Sequence, residues 1–157
     1  MFRISSVCLC LFASLAIADE SSSKPARLTV AQKNGWAVYD AELKKKEDAV
    51  NKACGSAVKS SYEKASYPAF DPMKDRTQSA CQSAVGTLVE VCGTADGKAA
   101  VKESVTKTVC RLSTDGTKVS LDGGVLTIHI DPVKRSISGK NPENYSYSWK
   151  SALEEVL

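Results

Sequence analysis

The fold is decided by residues 81–131, CQSAVGTLVEVCGTADGKAAVKESVTKTVCRLSTDGTKVSLDGGVLTIHID. The pattern predicts a helix that ends at Cys92-Gly93, a short second helix, and then a run of β-prone segments. Turn signals at residues 114–116 and 122–124 divide these segments from one another. The rest of the chain is placed relative to this stretch, with one long helix before it and one short helix after it.

Three strands are predicted within this stretch. Residues 106–112 are rich in β-branched side chains, although the spacing of Val101, Val105, Val109 and Leu112 would also suit a continuing helix. Residues 117–121 and 125–131 alternate between apolar and polar side chains, and Asp122-Gly123-Gly124 between them suits a tight hairpin. In the last strand the pattern directs three residues inward, Leu126, Ile128 and Ile130, and four outward, Val125, Thr127, His129 and Asp131. We therefore expect a small antiparallel three-stranded meander.

Two helices are predicted before these strands. Apolar residues recur at helical spacing over residues 36–65, and Glu47 is the single interruption on that face. Pro68 and Pro72 break the pattern, and the second helix starts near Pro72. We expect the two helices to form an antiparallel hairpin with its loop centred on residue 68.

Two shorter helices complete the predicted set. Asp96 is a suitable N-cap for a helix over residues 97–104. Asn141-Pro142-Glu143 combines a capping residue, a proline at the first helical position and an acid in the first turn, which indicates a C-terminal helix. Trp149 is the largest apolar residue of that helix and is expected to pack on the sheet.

The first 18 residues are typical of a signal peptide. Arg3 is followed by a short apolar run, and Ala16-Ile17-Ala18 resembles a signal peptidase site. The apolar run is too short to span a membrane, and we expect no span in the mature chain. Residues 19–34, which end in the turn signal Asn34-Gly35, are predicted as a flexible lead-in, and residues 35–157 as one α+β domain. Cleavage near Ala18 would place the protein in the periplasm or outside the cell.

Charge and composition exclude some function classes. The whole chain carries a net charge of +3, and loss of Arg3 with the signal peptide leaves a nearly neutral domain. A nucleic-acid-binding protein would show a concentrated basic patch, so no nucleic-acid partner is expected. Neither a CxxC pair nor a cluster of His with Cys is present in the sequence, so we expect no metal and no cofactor.

Four cysteines remain in the predicted mature chain, namely Cys54, Cys81, Cys92 and Cys110. An even number in an exported chain predicts two disulfides. In an antiparallel hairpin centred on residue 68, Cys54 and Cys81 are almost equidistant from the loop. The hairpin therefore predicts Cys54–Cys81 and leaves Cys92–Cys110 for the second bridge.

One weak catalytic candidate is present. His129 is the only histidine, and Asp131 lies two residues further along the same predicted strand face, so the two could form a base and its orienting acid. The alternative is an ordinary solvated strand face, where polar residues are expected at every second position. No GxSxG motif accompanies the pair.

Four aromatic residues form a possible contact surface. They lie in predicted loops or near helix ends, and they are Trp36, Tyr67, Phe70 and Tyr147. Exposed together, they would form a patch of the kind that binds a protein partner. Otherwise they close the ends of a core built mainly from Ala, Val, Leu and Ile.

The sequence as a whole predicts an exported, disulfide-stabilised α+β protein that acts by binding an unknown protein partner and not by catalysis. Inhibitors, immunity-type proteins and accessory factors are examples of this class. Two alternatives remain, a small extracytoplasmic hydrolase that uses His129 and Asp131, and a structural component of the cell envelope.

Overall fold

Helix α1 spans Val30–Cys54 in the computed structural model, which describes residues 29–67, 77–132 and 145–157. Its start is fixed by a capping box, in which the Thr29 hydroxyl accepts the Gln32 N–H and the Gln32 side chain accepts the Thr29 N–H. The helix ends at Gly55, whose φ of 65° closes it in the left-handed conformation. The predicted turn at Asn34-Gly35 therefore lies inside α1. The predicted signal peptide, residues 1–18, lies outside the described residues.

The chain after α1 forms a strand that the sequence did not predict. Strand β1 is Lys59–Tyr62, and a single 3₁₀ turn at Lys64–Ser66 follows it. The predicted helix over residues 36–65 therefore ends eleven residues early. The remaining elements are α2 (Thr77–Val91), α3 (Ala95–Ser104), β2 (Lys107–Leu112), β3 (Lys118–Asp122), β4 (Val125–Ile130) and α4 (Tyr145–Val156).

Within the described residues, the sheet has four strands in the order β1-β2-β4-β3. Strands β1, β2 and β4 are parallel to one another, and only β3 and β4 pair antiparallel. The α+β class and the C-terminal helix are confirmed, but the three-stranded antiparallel meander is wrong. The prediction failed because β2 and β3 are not neighbours: β4 lies between them and receives hydrogen bonds from both sides.

The described helices cover one face of this sheet, with α1 against β1, α2 against β2 and β4, and α4 against β3. Leu126, Ile128 and Ile130 are buried on that face, as their alternation predicts. Trp149 and Leu153 from α4 complete the core above the sheet edge. The described residues thus form two layers, with their helices on one side of the sheet.

Helices α1 and α2 run parallel, so the predicted antiparallel hairpin is also wrong. Their amino-terminal ends are linked through Tyr62 of β1. The Tyr62 ring contacts Trp36 of α1, and its hydroxyl donates to the Gln78 carbonyl of α2. Their carboxyl-terminal ends meet at the bond between Cys54 and Cys92. Strand β1 accounts for the difference, because it returns the chain along α1 before α2 begins.

Because α1 and α2 are parallel, the disulfide pairing also differs from the predicted one. The part of the chain that the structure describes has two bridges, but they join Cys54 to Cys92 and Cys81 to Cys110, with Cα–Cα distances of 5.3 and 5.9 Å. The predicted pairing required antiparallel helices, which would have brought Cys54 beside Cys81. Here the last residue of α1 meets the residue after α2, and Cys81 on the inner face of α2 reaches β2.

Candidate functional site

The face of the sheet opposite the helices carries a polar surface, which we call the open face. The strand register arranges its side chains in rows, one of which is Arg111, His129 and Lys118 and the next Val109, Thr127 and Ser120. These side chains are half-buried or exposed, because the described helices all lie on the other side. The open face is therefore available to a ligand or partner.

His129 lies between Arg111 and Lys118 in one row of the open face. Its Nε2 lies 3.3 Å from the Ser120 hydroxyl oxygen, across the β3–β4 pair. Partial burial lowers the pKa of His129 below its ordinary value, and the positive charges of Lys118 and Arg111 lower it further against the weaker effect of Asp115 and Glu63. The neutral form of the imidazole is therefore favoured, and this form can accept a proton.

An open depression of about 480 Å³ adjoins His129 at the carboxyl ends of the parallel strands. Ser66 from the turn after β1, residues 113–115 after β2 and Pro132 after β4 line it together with Arg111. In open sheets with parallel strands, ligands bind beyond the carboxyl ends of the strands. The depression thus combines a typical binding position with a guanidinium, hydroxyls and one carboxylate.

Among the described residues that line this depression, Arg111 is the one with a cationic side chain. Its Nε lies 3.6 Å from the Glu63 carboxylate, longer than a charge-assisted hydrogen bond, and both side chains are more than one third exposed. The guanidinium therefore keeps donors for a group that enters from outside.

The predicted partner of His129 is placed differently. Asp131 lies beyond the end of β4, is 6% exposed, and its N–H donates to the Thr117 hydroxyl at 3.0 Å. The structure thus brings Ser120, rather than Asp131, into contact with His129. The alternation of residues 117–121 placed Ser120 and Lys118 on one strand face, but only the register of β3 on β4 shows that this face includes His129.

The predicted aromatic surface is not formed by Trp36 and Tyr67. These residues are 2% and 5% exposed, and their rings contact each other edge to face at 5.1 Å between centroids. Both rings also contact Tyr62, so the three aromatics close one end of the core. Phe70 lies outside the described residues, as does the side chain of Tyr147.

The described parts of the chain hold neither a cluster of metal ligands nor a membrane-spanning helix. Among residues 29–67, 77–132 and 145–157, no three His, Cys, Asp or Glu side chains are grouped as ligands for a metal ion. No helix within the same ranges is long and apolar enough to cross a membrane.

No protein-family model, no curated protein and no solved structure matches this chain. Its function is therefore inferred from its own geometry.

Proposed function

We propose that this chain is an exported, non-enzymatic protein of the periplasm or extracellular space that acts by binding another protein. An inhibitor, an immunity-type protein or an accessory factor would act in this way. The observation that carries the proposal is the open face, a sheet surface of mixed charge that the described helices leave uncovered. A depression that Arg111 lines adjoins it.

Export is supported by the predicted signal peptide and by the disulfide-bonded cysteines. Residues 1–18 have the pattern of a signal peptide. The two disulfides are consistent with an oxidising compartment, where such bonds form and persist.

Arg111 is proposed as the anchor of the contact. Arg is enriched where interfaces hold most of their binding energy, and its planar guanidinium binds a carboxylate through two parallel hydrogen bonds. The neutral imidazole of His129 and the hydroxyls of residues 113 and 114 surround it with groups that accept or donate hydrogen bonds. This chemistry fits a partner that inserts an acidic side chain into the depression.

The test is affinity capture with the oxidised mature domain from its native extracellular or periplasmic extract. Arg111→Glu is the variant, and Lys102→Glu is the control, because Lys102 is exposed on α3 and away from the open face. We expect one protein to bind the wild type and the control, and to bind the Arg111 variant at least about tenfold more weakly. Equal binding by all three forms would contradict the role of the open face. Absence of any bound protein would favour a structural component of the envelope.

A hydrolase remains the second candidate because of one contact, the 3.3 Å approach of the Ser120 hydroxyl to His129 Nε2. A serine beside a neutral imidazole is the start of a nucleophile and base pair. Arg111 and Lys118 beside the ring oppose it, since they disfavour the imidazolium that such a reaction forms. If Ser120→Ala and His129→Ala each abolished hydrolysis of an ester substrate while the protein stayed folded, the hydrolase would replace the binding proposal.

A further inference from the structure

The two edge strands of the sheet, β1 and β3, differ in whether their outward backbone groups are hydrogen-bonded. At the β1 edge, the Ser60 N–H donates to the Glu47 carboxylate at 2.6 Å and the Val58 N–H donates to Asn51 Oδ1 at 2.8 Å. Side chains of α1 therefore occupy this edge. Natural proteins commonly protect edge strands in such ways, because an open edge can pair with another strand.

The β3 edge has no comparable protection among the residues that the structure describes. Lys118, Ser120 and Asp122 pair with β4, and the two-residue turn at Gly123-Gly124 closes the hairpin. Backbone groups alternate in direction along a strand, so those of Val119 and Leu121 point away from β4. Apart from bonds within helices and strands, no backbone hydrogen bond among the described residues involves them, and both side chains are only partly buried at the border of the core.

The sequence of β3 is complementary to itself. In an antiparallel pair centred on Ser120, Val119 lies opposite Leu121 of the second copy, so the outward backbone groups of both residues form hydrogen-bonded pairs. The same register places Lys118 of each copy opposite Asp122 of the other copy. Opposite charges at directly facing positions stabilise a strand pair.

We propose that two copies of this chain associate through their β3 edges into one continuous antiparallel sheet across the contact. The two-fold axis passes through the facing Ser120 residues and stands perpendicular to the sheet. Such an axis keeps the helical layers of both copies on one side and joins their open faces on the other. The proposal is independent of whether the open face binds a partner.

The matched test exchanges the edge charges and measures association by sedimentation velocity from micromolar to millimolar concentration. The oxidised mature wild type is expected to change from the mass of one chain to twice that mass. Lys118→Glu and Asp122→Lys each place like charges opposite one another on both sides of the axis. Each should weaken association about tenfold. The double variant with both exchanges restores the opposite pairs and should associate like the wild type.

Lys107→Glu is the control, because Lys107 is an exposed charge in β2 that does not lie at the β3 edge. Its association should equal that of the wild type, and far-ultraviolet circular dichroism should show all variants folded. A wild type that stays monomeric over the whole concentration range would overturn the proposal. So would a dimer that neither single exchange weakens, or a double variant no stronger than the single ones.

Discussion

Glu47 stabilises the fold from a buried position. Its carboxylate accepts the Ser60 N–H at 2.6 Å and a hydrogen bond from the Lys44 ammonium at 2.5 Å, and the residue is 3% exposed. A buried carboxylate is unfavourable unless its oxygens are hydrogen-bonded, and here both are. The polar interruption of the α1 stripe therefore has a structural role, which is to hold the edge of β1.

Replacement of Glu47 by Ala should lower the free energy of unfolding by about 2–3 kcal/mol, because the N–H of the half-buried Ser60 loses its acceptor. Urea denaturation followed by circular dichroism measures this. Glu42→Ala is the control, since its ion pair with Lys45 is solvent-exposed and should contribute less than about 1 kcal/mol. Equal losses for the two variants would contradict the role of Glu47.

The same carboxylate should make stability depend on pH. Burial alone would raise the pKa of Glu47, but the hydrogen bonds from Lys44 and Ser60 and the nearby lysine charges outweigh it and hold the pKa below its ordinary value. The unfolded chain then binds the proton more readily, so this contribution is complete above the ordinary glutamate pKa and is lost as pH falls through the folded value. Glu47→Gln should flatten the decline in unfolding free energy below about pH 4.5. A decline as steep as in the wild type would contradict this.

His129 should titrate below its ordinary pKa of 6.5 in the folded protein. Because the folded pKa is lowered, the unfolded state takes up the proton first, and stability falls as pH decreases through 6.5. Removal of a neighbouring charge by Lys118→Ala should raise the pKa of His129, whereas Lys107→Ala should leave it unchanged. NMR titration of the imidazole measures this without ambiguity, since the chain has one histidine. A pKa that does not respond to Lys118 would place that charge away from the ring.

The β3–β4 hairpin is the element most sensitive to a small change. Gly123 and Gly124 both have positive φ, 53° and 83°, but they differ in their surroundings. A Cβ at Gly124 would lie 3.0 Å from the Thr106 hydroxyl, whereas a Cβ at Gly123 would meet nothing within 4 Å.

Gly124→Ala should therefore destabilise the protein by about 1–2 kcal/mol or more, through both the left-handed backbone and the contact with Thr106. Gly123→Asn is the matched control, because Asn tolerates the left-handed conformation and space is free there. Thermal unfolding of the two variants provides the comparison. A control as unstable as Gly124→Ala would show that the contact with Thr106 is unimportant.

The elements that the sequence predicted well are those with strong local signals. Strands β3 and β4 follow from alternation and from the turn at residues 122–124, and α4 follows from its spacing. Strand β1 could not be predicted, because Lys59-Ser60-Ser61-Tyr62 has little β preference and Val58 and Tyr62 continue the helical spacing of α1. It becomes a strand because it pairs by hydrogen bonds with β2, 48 residues later in the chain. Asn51 and Glu47 of α1 also accept the N–H groups of Val58 and Ser60.

The disulfides join the layers of the whole molecule. Cys54–Cys92 ties the ends of α1 and α2, and Cys81–Cys110 ties α2 to the sheet. Replacing either pair by Ala should cost about 3–4 kcal/mol on the chain-entropy account, with separations of 38 and 29 residues. Loss of both should approach the total stability of an ordinary domain, about 5–15 kcal/mol.

Reduction with dithiothreitol should accordingly unfold much of the protein at about 37 °C. Denaturation of the variant without Cys54 and Cys92, and of the variant without Cys81 and Cys110, measures the contribution of each bridge separately. Peptide mapping without reduction should link residue 54 to 92 and residue 81 to 110. A link between Cys54 and Cys81 would contradict the parallel arrangement of α1 and α2.

The candidate site shows the same division between sequence and structure. The alternation of β4 was enough to place His129 and Thr127 on a polar face. Ser120, Arg111 and Lys118 join His129 only through strand pairing, because register between distant strands depends on which segments meet in space. The burial of Asp131 and Trp36 likewise depends on what packs over them.

Local patterns alone determined strands β3 and β4, helix α4, the hairpin turn, the polar face of β4 and the number of cysteines available for bridges. Spacing and turn residues act over a few positions, so they can be recognised in a single amino-acid sequence. Tertiary structure alone decided the strand order, the parallel direction of α1 and α2, and the partner of each cysteine. These depend on contacts between residues far apart in the chain, which pack together only when strand β1 returns beside α1 and pairs with β2.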